Sequence, residues 1–437
     1  MVQLYDWQRP SRDKLVEIFR SGSLIAVNAS DTGTGKTVCA LDVARTLGWR
    51  PLVIAPKAVR SSWINMAKAM GCADMLLDVI NPEKLLHKQP WFHDNKWHLP
   101  ADSMVIWDEV TRGTLGWESK TTEIAARLKV HKIPVLAMSA TIAGSPLQMR
   151  CLGYWLGWHS YSKSSFFQWA FSLGCVRNNW RGVDFPRTKK NLANMDKLHQ
   201  QMAPVMSRIR IADLKEFPEC DRQVKLFDLG KKETDEMNEL YDEMEEKILK
   251  HHGNPLVETL FLRQHIEYLK VPLLHQLAME TLEEDMSPII FVCFRDTMAA
   301  LKALFDKQGI AVSLIHGVQG EREQAERDAG IAKFQSNEVN VCIAMTQAGG
   351  IGISMHDLNG RPRRSFINIS YNAIELKQVF GRDHRAGSLS KSVQTIVLAA
   401  GTIEEKIHAA LAGKLRNMDT LNDGITDDDL LPIKRGK

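Results

Sequence analysis

No two cysteines in this 437-residue sequence are spaced as Cys-x-x-Cys, and the seven present (Cys39, Cys72, Cys151, Cys175, Cys220, Cys293 and Cys342) are odd in number and scattered. That pattern argues against a disulfide framework or a zinc ribbon and reads as buried thiols in a reducing compartment. Nor is there a run approaching the ~20 apolar residues that span a bilayer, and Met1 to Arg12 is polar, without the apolar core of a signal peptide. The expectation is a soluble, cytoplasmic protein with no membrane contact. An excess of one charge is lacking too. Lys and Arg number 56 against 52 Asp and Glu, a net +4, so a nucleic-acid partner has to be argued from local stripes of cations. Low complexity is confined to the acidic end near Asp427, and no repeat of fixed period is visible.

What is there is globular: 44% hydrophobic and 25% charged residues, in a chain long enough for two or three domains. Short apolar runs recur at Ser23 to Val27, Pro51 to Ala55, Met104 to Trp107 and Pro134 to Met138, with helical patterns at Thr37 to Leu47 and Ala58 to Met70. Alternation of this kind predicts a doubly wound α/β domain over residues 1–146. Residues 147–285 break the pattern: they are aromatic-rich, then helical and strongly charged from Lys231 to His251, and are expected to form an insertion or linker. Strand and helix alternation resumes at Ile289 to Phe294, Ala311 to Ile315, Val339 to Ala344, Arg364 to Ile369 and Val393 to Leu398, predicting a second α/β lobe over 286–416 and a tail over 417–437.

The first strand runs into Ser30-Asp31-Thr32-Gly33-Thr34-Gly35-Lys36-Thr37 and then a helix. Small residues let such a loop curl its N–H groups inward at a helix N-terminus, a nest for phosphate oxygens. Lys36 supplies charge for β- and γ-phosphates and the Thr37 hydroxyl suits Mg²⁺. Ser30 stands where the usual phosphate loop has its first glycine. Asp108-Glu109 closes the run Met104 to Trp107. An acidic pair after a strand is by itself a common solvated turn, but downstream of a phosphate loop Asp108 suits the metal and Glu109 the attacking water.

In the second lobe, Gln378-Val379-Phe380-Gly381-Arg382-Asp383-His384-Arg385-Ala386-Gly387 places two arginines three apart on a helical pattern. Arginine keeps its charge and forks onto phosphate oxygens, which suits the γ-phosphate. With Gln347-Ala348-Gly349-Gly350-Ile351-Gly352-Ile353-Ser354, this resembles superfamily II helicases, and within them the Swi/Snf-like group. Leu4 to Gln8 occupies the place of the adenine-reading motif, with Gln8 as its glutamine. Pro56 to Trp63, Val79 to Leu85, Ser139-Ala140-Thr141, Arg208 to Pro218 and Thr402 to Ile407 with Lys414 match further motifs in order. The chain departs from the group at Asp6, Thr111 and Ala140-Thr141-Ile142, where it commonly has Pro, His and Gly-Thr-Pro.

The resemblance implies two RecA-like doubly wound lobes with a helical insertion between them, ATP and Mg²⁺ as cofactors, and hydrolysis between the lobes. Its nucleotide contacts would be Gln8, Thr32, Gly33, Thr34, Gly35, Lys36 and Thr37, with Thr37 and Asp108 on the metal. Lys36, Asp108, Glu109, Gln378, Arg382 and Arg385 would be catalytic. Lys57, Ser139, Thr141, Gly349 and Gly350 would contact nucleic acid through its phosphates, without regard to sequence. The expected partner is duplex, forked or branched DNA, handled by a minimal monomeric motor of bacterial or phage type without added recognition modules. The Ser-Ala-Thr form of the third motif leaves an RNA helicase open. Strand separation or annealing also remains open, whereas a non-catalytic binding module fits poorly with so complete an ATP motif set. Two local readings stay undecided as well. Arg361, Arg363 and Arg364 form either a phosphate clamp or a solvated turn. The aromatics Trp155, Trp158, Phe166, Phe167, Trp169 and Phe171 either pack together or stack bases.

Overall fold

The apolar runs become strands of two parallel sheets. In the computed structural model the described residues are 2–111, 119–178, 182–215, 217–249, 255–317, 321–349, 353–424 and 433–435. They divide into two compact units, Met1–Lys215 with Gly413–Asp428, and Glu216–Ala412 with Asp429–Lys437. Both are the doubly wound α/β lobes expected from the sequence.

The first unit contains strands β1 (Ile25–Asn28), β2 (Arg50–Ile54), β3 (Asp78–Ile80), β4 (Ser103–Asp108), β5 (Val135–Met138) and β6 (Met206–Ser207), in the order β6-β1-β5-β4-β2-β3. All pairings are parallel, as in Val27 beside Ala137 and Ile54 beside Trp107. Successive side chains of a strand point to opposite faces, so a sheet covered on both sides needs continuous apolar runs. Ala26, Val53, Ile106 and Leu136 face one layer, built from α1 (Arg9–Arg20), α2 (Lys36–Leu47) and α3 (Arg60–Ala69). Val27, Ile54, Trp107 and Ala137 face the other, built from α4 (Lys120–Val130), α5 (Arg150–Trp155) and the helix α7 (Lys189–Met202) that follows α6 (Lys163–Ser172). Each large apolar side chain buried this way contributes ~1.5–3 kcal/mol. Leu421, far along the chain, is fully buried in this second layer with Met195 and Leu198.

The second unit contains β7 (Cys220–Phe227), β8 (Ser287–Val292), β9 (Val312–Ile315), β10 (Val341–Met345), β11 (Arg363–Ile367), β12 (Ser392–Ala399) and β13 (Ile433–Arg435), ordered β9-β10-β8-β11-β12-β7-β13 and again parallel. The helices are α8 (Lys231–Leu249), α9 (Pro255–Leu269), α10 (Val271–Glu283), α11 (Arg295–Lys307), α12 (Glu321–Gln335), α13 (Ala373–Phe380) and the first part of α14 (Ile403–Asp423), whose residues from Gly413 on belong to the first unit, besides the short turn Thr346–Gly349. Between α9 and α10, the fully buried Lys270 donates to both carboxylate oxygens of Glu404, at 2.7 and 3.0 Å, and to the Val397 carbonyl at 3.1 Å. That full set of partners is what makes a buried ammonium tolerable.

The three arginines around the turn before β11 are all engaged. Arg361 pairs with Asp285 at 2.7 Å and Arg364 with Glu284 at 2.6 Å. Arg363 is buried, lies over the Phe334 ring and donates to Asn337 Oδ1 at 2.8 Å. Its role is packing within the unit, which neither a phosphate clamp nor a solvated turn describes. Among the described residues no helix is long and apolar enough to cross a membrane.

Candidate active site

The phosphate loop lies between β1 and α2, at the carboxyl end of the sheet, where open α/β sheets bind their ligands. Gly33 and Gly35 adopt φ of 85° and 73°, left-handed values that a side chain disfavours. A Cβ at Gly35 would also collide with the Gln8 amide. Gln8 is buried, donates from Nε2 to the Thr34 carbonyl at 2.8 Å and accepts from the Tyr5 N–H at 2.9 Å. It therefore fastens the chain's first turn to the loop. Gly35→Ala is expected to cost about 1–3 kcal/mol from the backbone conformation, read as a lower denaturant midpoint with an unchanged slope.

Within the loop the Thr34 hydroxyl donates to the Asp31 carbonyl at 2.7 Å. The Lys36 ammonium donates to the carbonyls of Ser30 and Asp31 at 2.9 and 3.0 Å. Burial lowers the Lys36 pKa, opposed by the charges of Glu109, Asp108 and Asp31. Thr32 and Thr37 are half-buried on either side of the glycines.

Asp108 ends β4, and its Oδ2 accepts from the Trp63 indole N–H at 2.9 Å. Burial first, and then the neighbouring Glu109, push Asp108 up to about 6. Glu109 has φ of 49°, a left-handed conformation uncommon outside glycine. Its Oε2 accepts from Ser139 Oγ at 3.0 Å, and Ser139 Oγ lies 3.2 Å from Thr141 Oγ1. The third-motif hydroxyls are thus wired to the acidic pair. Both Ser139 and Thr141 are fully buried, whereas Lys57 is exposed in the turn after β2. Among the described residues no cluster of three or more His, Cys, Asp or Glu could hold a metal by itself. One or two carboxylates with a hydroxyl and phosphate oxygens is the donor set Mg²⁺ prefers, and the Asp108 carboxylate, crowded by a like charge, fits a cation.

Asn422 and Asp423, which the sequence did not single out, hold this corner together with Ser30 and Arg208. Ser30 accepts from the Ile209 N–H at 3.1 Å, so a hydroxyl replaces the usual glycine where the loop is tied to the chain beyond β6. Arg208 pairs with Asp31 at 2.8 Å and the Ala29 carbonyl at 2.5 Å, and forks onto both oxygens of Asp423 at 2.7 and 2.8 Å. Burial works against its charge, but Asp31 and Asp423 more than offset this and raise its pKa. The next residue back, Asn422, donates to the Ala140 carbonyl at 2.9 Å. The last turn of α14 therefore grips both the phosphate loop and the third motif. Removing one partner of such a network leaves buried charge unpaired, so Arg208→Ala is expected to lose about 3–5 kcal/mol of stability, measurable by chemical denaturation.

In the second unit, Gln378 is buried on α13, but the helix stops at Phe380. Arg382 and Arg385 lie in the turn that follows, and not on a helix as their spacing suggests. The helix is capped at Gly381, and Arg382, Asp383 and Arg385 beyond it each find partners within the unit. Arg382 donates to the Ile353 carbonyl at 3.1 Å. Arg385 reaches the same oxygen at 3.5 Å and bonds the Ser354 hydroxyl. Burial lowers Arg385 to about 10, which leaves it charged at neutral pH. Asp383 accepts from Ser365 Oγ at 2.5 Å and from the Gln394 amide. Gly349 ends the short turn after β10, and Gly350 lies outside the described residues.

A helicase conserved C-terminal domain matches residues 269–387, which hold β8 to β11, α13 and both arginines. A protein of Acanthamoeba polyphaga mimivirus named as an ATP-dependent RNA helicase is 29% identical over 484 aligned residues, covering 100% of this chain and 87% of the relative. With a helicase conserved C-terminal domain in its second unit and similarity along its whole length to a protein named as an ATP-dependent helicase, the chain is a nucleic-acid-dependent ATPase.

Proposed function

We propose that this chain is an ATP-driven DNA translocase of the Swi/Snf-like group, acting on duplex or branched DNA. The observation that carries the ATP chemistry is the wiring of the first unit: Lys36 on the loop carbonyls, Asp108 held by Trp63, and Glu109 held by Ser139. On this reading Gln8, Thr32, Gly33, Thr34 and Gly35 shape the nucleotide pocket, and Lys36 neutralises the terminal phosphates. Thr37 and Asp108 hold Mg²⁺, which when bound withdraws charge from the phosphate oxygens. Glu109 orients and deprotonates the attacking water, and Gln378, Arg382 and Arg385 supply the second unit's part of the reaction. Residues 147–285 are read as completing both units and not as a separate insertion, 147–215 counting with the first and 216–285 with the second, while 413–428 return to the first.

Contact with the track falls to Lys57 and the Gly349-Gly350 loop, with the fully buried Ser139 and Thr141 hydroxyls acting from beneath the surface. Ser139 gives this contact a route to hydrolysis, because its hydroxyl bonds Glu109 directly. The DNA preference rests on the wording of the closing motifs, Gln347 to Ser354 and Arg382 to Gly387. The second reading, an RNA helicase, is favoured by the name of the mimivirus relative. A triplex-displacement assay tests the proposal. A duplex translocase ejects a third strand from DNA in the presence of ATP without separating the duplex. If the triplex survives while an RNA duplex is unwound, the RNA reading replaces it.

A further inference from the structure

The aromatic-rich segment after β5 left two readings open, packing or base stacking, and the structure shows packing for four of its six residues. Trp155 and Phe166 are buried, and Trp158 and Trp169 stack at 5.9 Å against the core. Phe167 and Phe171 differ in being partly exposed, although Phe167 also packs on the buried Phe166 with ring centres 5.2 Å apart. One helical turn apart on α6, they are only partly buried and stack on each other with ring centres 6.0 Å apart at 27°. They form one wall of a groove of about 1320 Å³, whose other wall is a two-stranded ribbon, Val176–Arg177 paired with Val183–Asp184.

We propose that this groove binds single-stranded nucleic acid, stacking bases on Phe167 and Phe171 while Lys163 and Arg177 take the phosphates. The two cations are exposed, line the groove from opposite walls, and have no acidic residue among the groove's described lining. An occupant that presents negative charge and flat apolar faces side by side complements this lining. A single strand does so at every nucleotide, whereas a duplex hides its base faces within the stack. The site is separate from the proposed track residues Lys57, Ser139 and Thr141, and would give the enzyme a hold on the unpaired strand of a fork. It rests on the reading of the protein as a nucleic-acid motor.

The test is fluorescence anisotropy with a fluorescein-labelled oligothymidylate and with a labelled duplex of equal length, without ATP. Phe167→Ala/Phe171→Ala is expected to weaken single-strand binding by roughly five- to a hundredfold per stacked base lost. Duplex binding and duplex-stimulated ATPase should stay at the wild-type level, and Phe167→Tyr/Phe171→Tyr should restore the single-strand affinity. Lys163→Ala/Arg177→Ala should flatten the salt dependence of the same binding. An oligouridylate arm distinguishes RNA from DNA as the strand. Wild-type affinity for the single strand in a double variant that melts normally overturns the proposal, as does a parallel loss for duplex and single strand. If the groove binds strand but no nucleic acid stimulates ATP turnover, the motor reading fails and the binding site stands.

Discussion

Arg385→Ala is expected to lower nucleic-acid-stimulated ATP turnover by roughly 10³- to 10⁵-fold, the usual worth of an arginine on a transferring phosphoryl group, the role proposed for it. The structure explains why the loss should fall on the chemistry and not on the fold. Arg385 is half-buried, its main bond is to the Ser354 hydroxyl, and the Ile353 carbonyl it approaches at 3.5 Å is also held by Arg382 at 3.1 Å. Truncation leaves that carbonyl bonded and opens a small space beside a hydroxyl that water can reach. The melting temperature should therefore change little while turnover collapses. Arg385→Lys keeps a charge but not the planar fork, and should recover only part of the rate. Single-turnover kinetics with saturating ATP read the effect, and near-normal turnover in Arg385→Ala would remove this residue from the mechanism.

Lys36→Ala is expected to lower turnover by roughly 10²- to 10³-fold or more, the scale seen when one preorganised charge is removed from a transition state. Unlike Arg385, it should also weaken ATP binding, because Lys36 sits in the loop that cradles the phosphates. Its bonds to the Ser30 and Asp31 carbonyls are local to that loop, which is independently fastened through Gln8, Ile209 and Arg208. The fold should survive. A fluorescent ATP analogue separates the two variants: weak binding for Lys36→Ala, near wild-type binding for Arg385→Ala.

How much of this could be read from the sequence depends on the range of the forces involved. The central strands were legible because a strand buried on both faces must be apolar throughout, as Ala26-Val27 and Ile106-Trp107 are. β7 was not, since Cys220-Asp221-Arg222-Gln223-Val224-Lys225-Leu226-Phe227 lies near a sheet edge and fully buries only Val224 and Phe227. The phosphate loop and the Asp108-Glu109 pair are local patterns and were visible as such. Their supports are not local. Trp63 reaches Asp108 from α3, and Asp423 meets Arg208 across 215 residues of chain. Nothing in the spacing of those residues marks the contact. Ser30 shows the same limit in reverse: as a departure from a glycine pattern it looks like a defect, and its reason, an acceptor for the Ile209 N–H, exists only in three dimensions.

Gly35 and Glu109 both sit at left-handed φ beside the phosphate site; glycine takes it without strain, whereas strain at a residue such as Glu109 persists only where surrounding bonds over-determine it. For Glu109 the bond from Ser139 is one of these. The side chain proposed to activate water is held by a side chain proposed to sense the track, so occupancy of the track can alter hydrolysis without a long relay.

The measurement that bears most directly on the central claim is the steady-state ATPase rate against added single-stranded DNA, duplex DNA, forked DNA and RNA, with Lys36→Ala as the blank. The account predicts strong stimulation by duplex or forked DNA that vanishes in the blank. A rate that rises with RNA alone, or with no polynucleotide at all, would contradict the DNA-translocase reading.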